Sequence, residues 1–324
     1  MNQYIQMLRM VSRTFTLSIE QLPQNIRDSV ALAYLLFRVS DCLEDHETMD
    51  AARKIQLLEL WCDILDGQRK VDELTGQITD LDDSDPEVYV AQNAGLLLDF
   101  LDTLHPETRA FIVNRVKETT HGMARWQRQG PTVKTEEELD DYMYHVAGLV
   151  GYLLTDIFAW HCSKIRARKE ILQPLAKEFG LALQTVNVIR GLRKDYERGW
   201  IFVPHSFLEK VGITSDELFM PDFEDKAIQV VELLADKAER HLQHGLNYIL
   251  TLPRTQHRIR LFCVWPLFFA VKTLALSRNN VNVLRAEAKM SRHDVKNIIR
   301  DTTMLGWSNR WLNKYYTSLN GSSV

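Results

Sequence analysis

The sequence is informative first for what it has little of. Its four cysteines, Cys42, Cys62, Cys162 and Cys263, are scattered and form no CxxC pair. That argues against a zinc site or a disulfide framework and for reduced thiols in a cytoplasmic protein. No GxGxxG fingerprint is present, so a Rossmann-type dinucleotide site is excluded. There is no long basic run, and the formal net charge is −4, which argues against a nucleic-acid partner held by charge. A small phosphorylated ligand is not excluded, because it needs only a few well-placed cations. The longest apolar run, Leu261–Val271, is interrupted by Pro266 and reads as too short for a bilayer span, which takes about 20 residues. The first residues lack the apolar core of a signal peptide, and the closing SLNGSSV lacks a tail anchor. The expectation is a soluble protein whose membrane contact, if any, is peripheral. No alternating polar–apolar stretch is long enough for a sheet, and no repeat, low-complexity tract or Gly/Ser linker marks a boundary.

What is present is helical periodicity almost throughout. Pro23 suits a helix start, with apolar positions recurring through Leu36 and Val39. Further helices are predicted over Asp50–Asp66, Glu87–Leu104, Pro106–Arg128, Glu136–Cys162, Lys169–Arg198, Asp222–Leu250, His257–Ser277 and Ser291–Tyr316. The breaks fall at Asp82–Pro86, Gly130–Pro131, Gly212–Asp216 and Leu252–Pro253. The prediction is one all-α domain spanning residues 1–324, with its site between helices.

Within the first of these helices, Arg38–Asp45 reads RVSDCLED. Asp41 and Asp45 are four apart and Glu44 is three from Asp41, so like charges share a helix face at a cost unless a cation sits there. Mg²⁺ suits the pattern, since it takes one or two carboxylates and fills its octahedron with water and phosphate oxygens. Arg38 stands one turn earlier, near the same phosphates. The bland alternative is a solvated acidic face. The flank Leu32–Phe37 weighs against it, because it is nearly all apolar and charges on a buried helix are costly unless they line a site.

Five segments in order carry a resemblance. RVSDCLED resembles the first aspartate-rich motif of the squalene/phytoene synthase family of head-to-head prenyl synthases, squalene synthases in particular. Ser12–Phe15 (SRTF) resembles its N-terminal substrate-binding segment. Tyr142–Gly151 (YMYHVAGLVG) matches its Y-x-x-x-V-A-G-x-V-G helix, Gln184–Arg190 fits Q-x-x-N-I-x-R, and Phe262–Leu274 resembles F-C-x-x-P-x-x-x-A-x-x-T-L. The resemblance implies an all-α fold with a central cavity. It implies joining of two farnesyl diphosphates through presqualene diphosphate, followed by NADPH-dependent reduction to squalene.

The resemblance assigns Asp41, Glu44 and Asp45 as Mg²⁺ ligands for the first diphosphate, with Arg13 and Arg38 as clamps and Ser12 and Phe15 beside them. Asp195 would be a metal ligand on the second motif, where Gln184, Asn187 and Arg190 face substrate. Tyr142 corresponds to the tyrosine implicated in proton abstraction. A phenol with a pKa near ~10 must then be tuned or assisted by departing diphosphate. Without the resemblance Tyr142 would read as an interface tyrosine. Tyr34 and Phe37 offer ring faces to cationic carbon. Val146, Val150, Leu154, Phe262 and Cys263 suit a dry lining, though residues at such spacing are more often plain core. For NADPH the candidates are Arg278, Asn279, Asn280, Lys289 and Arg292, which a solvated basic surface explains nearly as well. A monomer is expected.

The second motif departs from the family. Where N-I-x-R-D-x-x-E-D is usual, this chain has Asn187-Val-Ile-Arg190-Gly191-Leu-Arg-Lys194-Asp195, and Trp200 stands where an arginine is common. Two acids are gone and a cation has entered. One reading is that Lys194, with Arg190 and Arg193, holds a diphosphate directly in place of metal charge. Others are changed chemistry on the same fold, in which the second half-reaction stops at presqualene diphosphate, gives a hydroxylated or unreduced product, or uses another acceptor. The last is a non-catalytic assembly or binding protein, against which the intact first cluster counts.

Overall fold

The computed structural model describes residues 3–321, with the side chains of Arg13 and Thr14 outside the description. The described chain is helical and has no strand; one isolated bridge joins Thr132 to Ile201. Helices begin where short polar side chains can accept the first orphan N–H groups. Asp50 accepts from Arg53 N (2.8 Å), Thr135 from Glu138 N (3.2 Å) and Ser291 from Asp294 N (3.1 Å). Pro86 and Pro106 occupy first-turn positions, where a missing N–H costs nothing.

Several boundaries differ from the periodicity. Glu87–Leu104 is two helices, Pro86–Gln92 and Ala94–Asp102, because the Asn93 amide donates to Tyr89 O (2.8 Å) and turns the chain. Ser291–Tyr316 is likewise two, Arg292–Leu305 and Asn309–Leu319. Between them a Cβ at Gly306 would lie 2.4 Å from Thr302 O. Short helices also form at Gln3–Val11, Arg13–Gln21, Val71–Gln77 and His205–Val211, where two turns or so carry too little apolar pattern to read. The His257–Ser277 helix corrects a further expectation. It runs straight through Pro266 for 21 residues and is long and apolar enough to cross a bilayer, but 78% of its apolar window is buried within the protein. It has the burial of a core helix.

The chain divides into two compact units. The first runs as far as Gly130 and takes in Leu153–Ala167. At its centre is the Gln24–Asp45 helix, packed on Pro86–Gln92, Pro106–Gln129, Ala51–Leu65 and Ala94–Asp102. Inside it Ser40 Oγ and Thr120 Oγ1 share a hydrogen bond of 2.7 Å.

The second unit comprises Pro131–Tyr152 and the chain from Arg168 onward. Its spine is Lys169–Glu197, packed on Glu224–Thr251, His257–Ser277 and a π-helical turn at Tyr144–Gly148. Backbones approach closely here. A Cβ on Gly180 would lie 2.3 Å from Ala147 O, and one on Gly151 would lie 2.1 Å from Ala176 O. Only glycine permits either contact.

Buried charge ties this unit together. Lys237 is buried, with Nζ 2.5 Å from Asp140 Oδ1 and 3.2 Å from Glu136 Oε1. His241 Nδ1 lies 2.6 Å from Glu178 Oε2. Burial alone would lower the His241 pKa, as does Lys237, but hydrogen bonds to Asp140 and Glu178 outweigh them and the net shift is upward from 6.5. Burial raises Asp140, but His241 and Lys237 bring it below 3.8. Glu178 is lowered from 4.5, chiefly by its hydrogen bond to His241. The raised histidine contributes stability that is fully present below 6.5 and is lost as pH rises through its folded pKa. The lowered carboxylates contribute stability present above 4.5 and lost as pH falls through theirs. His241→Gln is therefore expected to cost more stability at pH 5.5 than at pH 8.5 in urea unfolding. An equal loss at both would show that the ring is not charged in the fold.

Candidate functional site

The first carboxylate cluster stands at the C-terminal end of the Gln24–Asp45 helix. Arg38 Nη1 lies 3.1 Å from Asp41 Oδ2 and 3.1 Å from Glu87 Oε1, and its Nε donates to Tyr34 Oη (3.2 Å). The guanidinium also lies over the Tyr34 ring, 5.2 Å from its centroid, while Phe15 packs on that ring at 5.6 Å. Burial works against the Arg38 charge, yet Asp41, Tyr34 and Glu87 together raise its pKa. Asp41 keeps 27% of its side-chain surface open. Even so, burial pushes its carboxyl up to about 7; Arg38 opposes this, while Glu87 and Asp45 add to it. The cluster thus holds more acid than one guanidinium neutralises.

The members of the motif face different ways. Asp45 is exposed and Asp41 half-buried, whereas Glu44 and Phe37 are buried. Among the described residues no three His, Cys, Asp or Glu side chains form a ready-made metal group. Mg²⁺ does not need one, because it is commonly held by one or two carboxylates plus substrate phosphate. Asp41 and Asp45 fit that demand. Glu87 carries no motif in the sequence, because Pro86–Glu87 reads only as a helix start. Ser12 caps the Arg13–Gln21 helix by accepting from Phe15 N (3.1 Å). Arg13 lies outside the described side chains.

In the second unit Tyr142 is buried, two residues before the π-helical turn, a rare distortion often found at functional positions. Its ring stacks on Phe202 (4.6 Å between centroids), and Phe202 stacks on Trp200 (5.4 Å). The segment carrying both rings is held on two sides. Ile201 N donates to Pro131 O (2.9 Å), and Trp200 N donates to Asp195 O (2.9 Å). Val146 and Val150 remain part-exposed although apolar, as does Leu154 in the first unit. Phe262 and Cys263 are buried, and burial pushes the Cys263 thiol pKa up.

Along the Lys169–Glu197 helix the polar residues sort themselves. Asn187 donates to Gln184 Oε1 (3.4 Å). Arg193 is engaged: Nε lies 2.7 Å from Glu197 and its guanidinium sits over Phe219, so it does not join the cation stripe expected of it. Asp195 pairs with Arg198 at 2.5 Å. Its other oxygen folds back to within 3.2 Å of where a Gly191 Cβ would be. Asp195 thus stands beside an arginine, on a helix that lacks the two other acids usual in the second motif. Arg190 and Lys194 are both exposed, one helical turn apart, and neither has an acidic partner among the described residues. Like charges at this spacing repel, and an anion would relieve them.

The C-terminal candidates are mostly occupied. Arg278 is clamped by Glu232 (2.7 Å), Asp236 (2.9 Å) and Glu239 (2.6 Å). Asn279 N donates to Glu232 (2.7 Å) and the Asn280 amide to Leu276 O (2.8 Å). Lys289 is exposed and lies 3.2 Å from Glu287, and Arg292 is exposed.

The described chain is thus a strand-free helical fold with acidic and basic side chains on part-open helix faces. The sequence model of squalene/phytoene synthase matches residues 8–294, and the chain belongs to that family. It is 30% identical over 300 residues to the squalene synthase of Schizosaccharomyces pombe, a match covering 91% of this chain and 63% of that protein. It is 30% identical over 303 residues to squalene synthase 3 of Panax ginseng, covering 92% and 69%. The chain therefore spans only about two thirds of these relatives' length. In fold it is similar to TcSQS as solved in complex with the ligand E5700, with a TM-score of 0.82 and 22% identity over 98% of this chain and 90% of that one.

Proposed function

We propose that the chain is a farnesyl-diphosphate farnesyltransferase. It joins two farnesyl diphosphates head to head into presqualene diphosphate and reduces that with NADPH to squalene. The observation that carries this reading is the Arg38 guanidinium held between Asp41 and Glu87 beside the exposed Asp45. Arg38 would donate to phosphate oxygens. Asp41 and Asp45 would hold Mg²⁺, which when bound supplies positive charge to the leaving diphosphate. Arg190 and Lys194 would supply charge to a second diphosphate directly. Tyr142 Oη is the group to hold or pass a proton, and its stack on Phe202 fixes the ring plane. Val146 and Val150 help exclude water from cationic carbon. Among the C-terminal candidates, the exposed Arg292 and Lys289, the latter beside Glu287, would meet NADPH. The family match crosses both compact units, which supports treating the chain as one functional domain. We take it to act as a monomer in the cytoplasm.

A second reading is an altered second half-reaction, favoured by Gly191, Lys194 and the Trp200–Phe202 stack. Product analysis separates the two. With farnesyl diphosphate and Mg²⁺, squalene is expected by mass spectrometry only when NADPH is added. Presqualene diphosphate or a hydroxylated product in both reactions would establish the second reading. No consumption by folded protein would sink both.

A further inference from the structure

The turn between the Arg292–Leu305 and Asn309–Leu319 helices displays apolar side chains to solvent. Met304, Leu305 and Trp307 are 58%, 39% and 52% exposed, consecutive but for Gly306. Single exposed apolar residues are ordinary, whereas a contiguous patch of a few hundred Å² is often functional. The turn is firmly seated. Arg260 donates to Gly306 O (3.3 Å) and to Asn309 Oδ1 (2.7 Å), the Asn309 amide donates to Leu250 O (3.1 Å), and His257 Nε2 lies 3.1 Å from Thr303 O. These bonds bring the 252–258 segment against the turn, and with it the exposed Arg254 and Arg258. Arg300 is exposed one helical turn before Met304, and Arg310 is exposed three residues after Trp307. Asp301, paired to Arg300 at 2.8 Å, is the one acid in residues 250–260 and 297–316.

We propose that this tip docks the protein on an anionic lipid surface, with Met304, Leu305 and Trp307 entering the headgroup layer and the surrounding arginines meeting lipid phosphates. Tryptophan beside arginine at a rigid turn suits the interface, where one side of a residue is apolar and the other wet. A second copy fits less well. Three side chains offer roughly 300 Å² of apolar surface, against ~800 Å² per partner in a stable protein interface. The four arginines would also face four others across a two-fold contact.

The test is co-sedimentation with large unilamellar vesicles, using the full chain. Binding is expected to phosphatidylcholine vesicles containing 30% phosphatidylglycerol, and to weaken strongly in high salt. Trp307→Ser with Met304→Ser should lower the partition coefficient about tenfold or more. Arg254→Ala with Arg310→Ala should lower it by about fivefold per arginine. These side chains are exposed, so an unchanged thermal unfolding midpoint will separate lost docking from lost folding. For a variant that does shift the midpoint, quenching of wild-type tryptophan fluorescence by brominated lipid gives an independent reading. The proposal is overturned if wild type ignores the vesicles, or binds pure phosphatidylcholine equally well. It is also overturned if ultracentrifugation shows a dimer that Trp307→Ser dissociates.

Discussion

Lys194→Ala is expected to lower kcat on farnesyl diphosphate by about 10²- to 10³-fold, the usual cost of deleting one charged donor aimed at developing negative charge. Lys194 is exposed and makes no ion pair among the described residues, so its removal should leave stability nearly unchanged. The reversal is the sharper experiment. Gly191→Asp with Lys194→Glu restores the acids usual in the family's second motif. If Lys194 replaces metal charge, this double variant should be as poor as Lys194→Ala at ordinary Mg²⁺. If the motif is merely damaged, activity should rise instead. Gly191→Ala is the needed control, because any Cβ there meets Asp195 Oδ2 at 3.2 Å. The carboxylate must then shift against Arg198, and the cost of that shift must be known before charge is credited.

The largest effect on stability is expected at Arg260. Its side chain is fully buried, and among the described residues no carboxylate pairs with it. Nη1 donates to Ile249 O and Leu252 O at 2.8 Å each, Nε to Gly306 O, and Nη2 to Asn309 Oδ1. Burial lowers its pKa to about 10, with Arg254 contributing, so the charge survives at neutral pH. Arg260→Met keeps most of the volume and deletes every donor. Each acceptor stranded without water costs about 1–3 kcal/mol. With partial relaxation, a loss of about 3–5 kcal/mol is expected in urea unfolding. Arg260→Lys should recover only part of it, because three donors on one nitrogen cannot span acceptors placed around a planar fork. A loss below about 1 kcal/mol for Met would mean that water replaces the guanidinium.

Much of this was legible in the sequence, and the part that was not has physical reasons. Helix type and order followed from apolar spacing, and the first acidic cluster followed from Asp41 and Asp45 lying one turn apart. Partners distant in sequence did not follow. Glu87 reaches Arg38 from a helix start that carries no motif. Arg198 takes Asp195 at i,i+3 on a stretch read only for its missing acids. Arg278 looked like a cofactor cation and is held by three carboxylates from one long helix. Spacing within a helix reports which residues share a face, but not which neighbour has already satisfied them. The Phe202 stack on Tyr142 was invisible for the same reason.

The glycine contacts between the Tyr144–Gly148 turn and the Lys169–Glu197 helix have a consequence for how this chain has diverged. Two peptide backbones touch there with no side chain between them, so the placement of Tyr142 relative to Arg190 and Lys194 is set by main-chain geometry. Substitutions at 191, 194 and 200 can then change the charge and shape offered to a ligand while the frame stays still. The unit behaves as a fixed mount with exchangeable fittings, in which chemistry can drift while architecture does not.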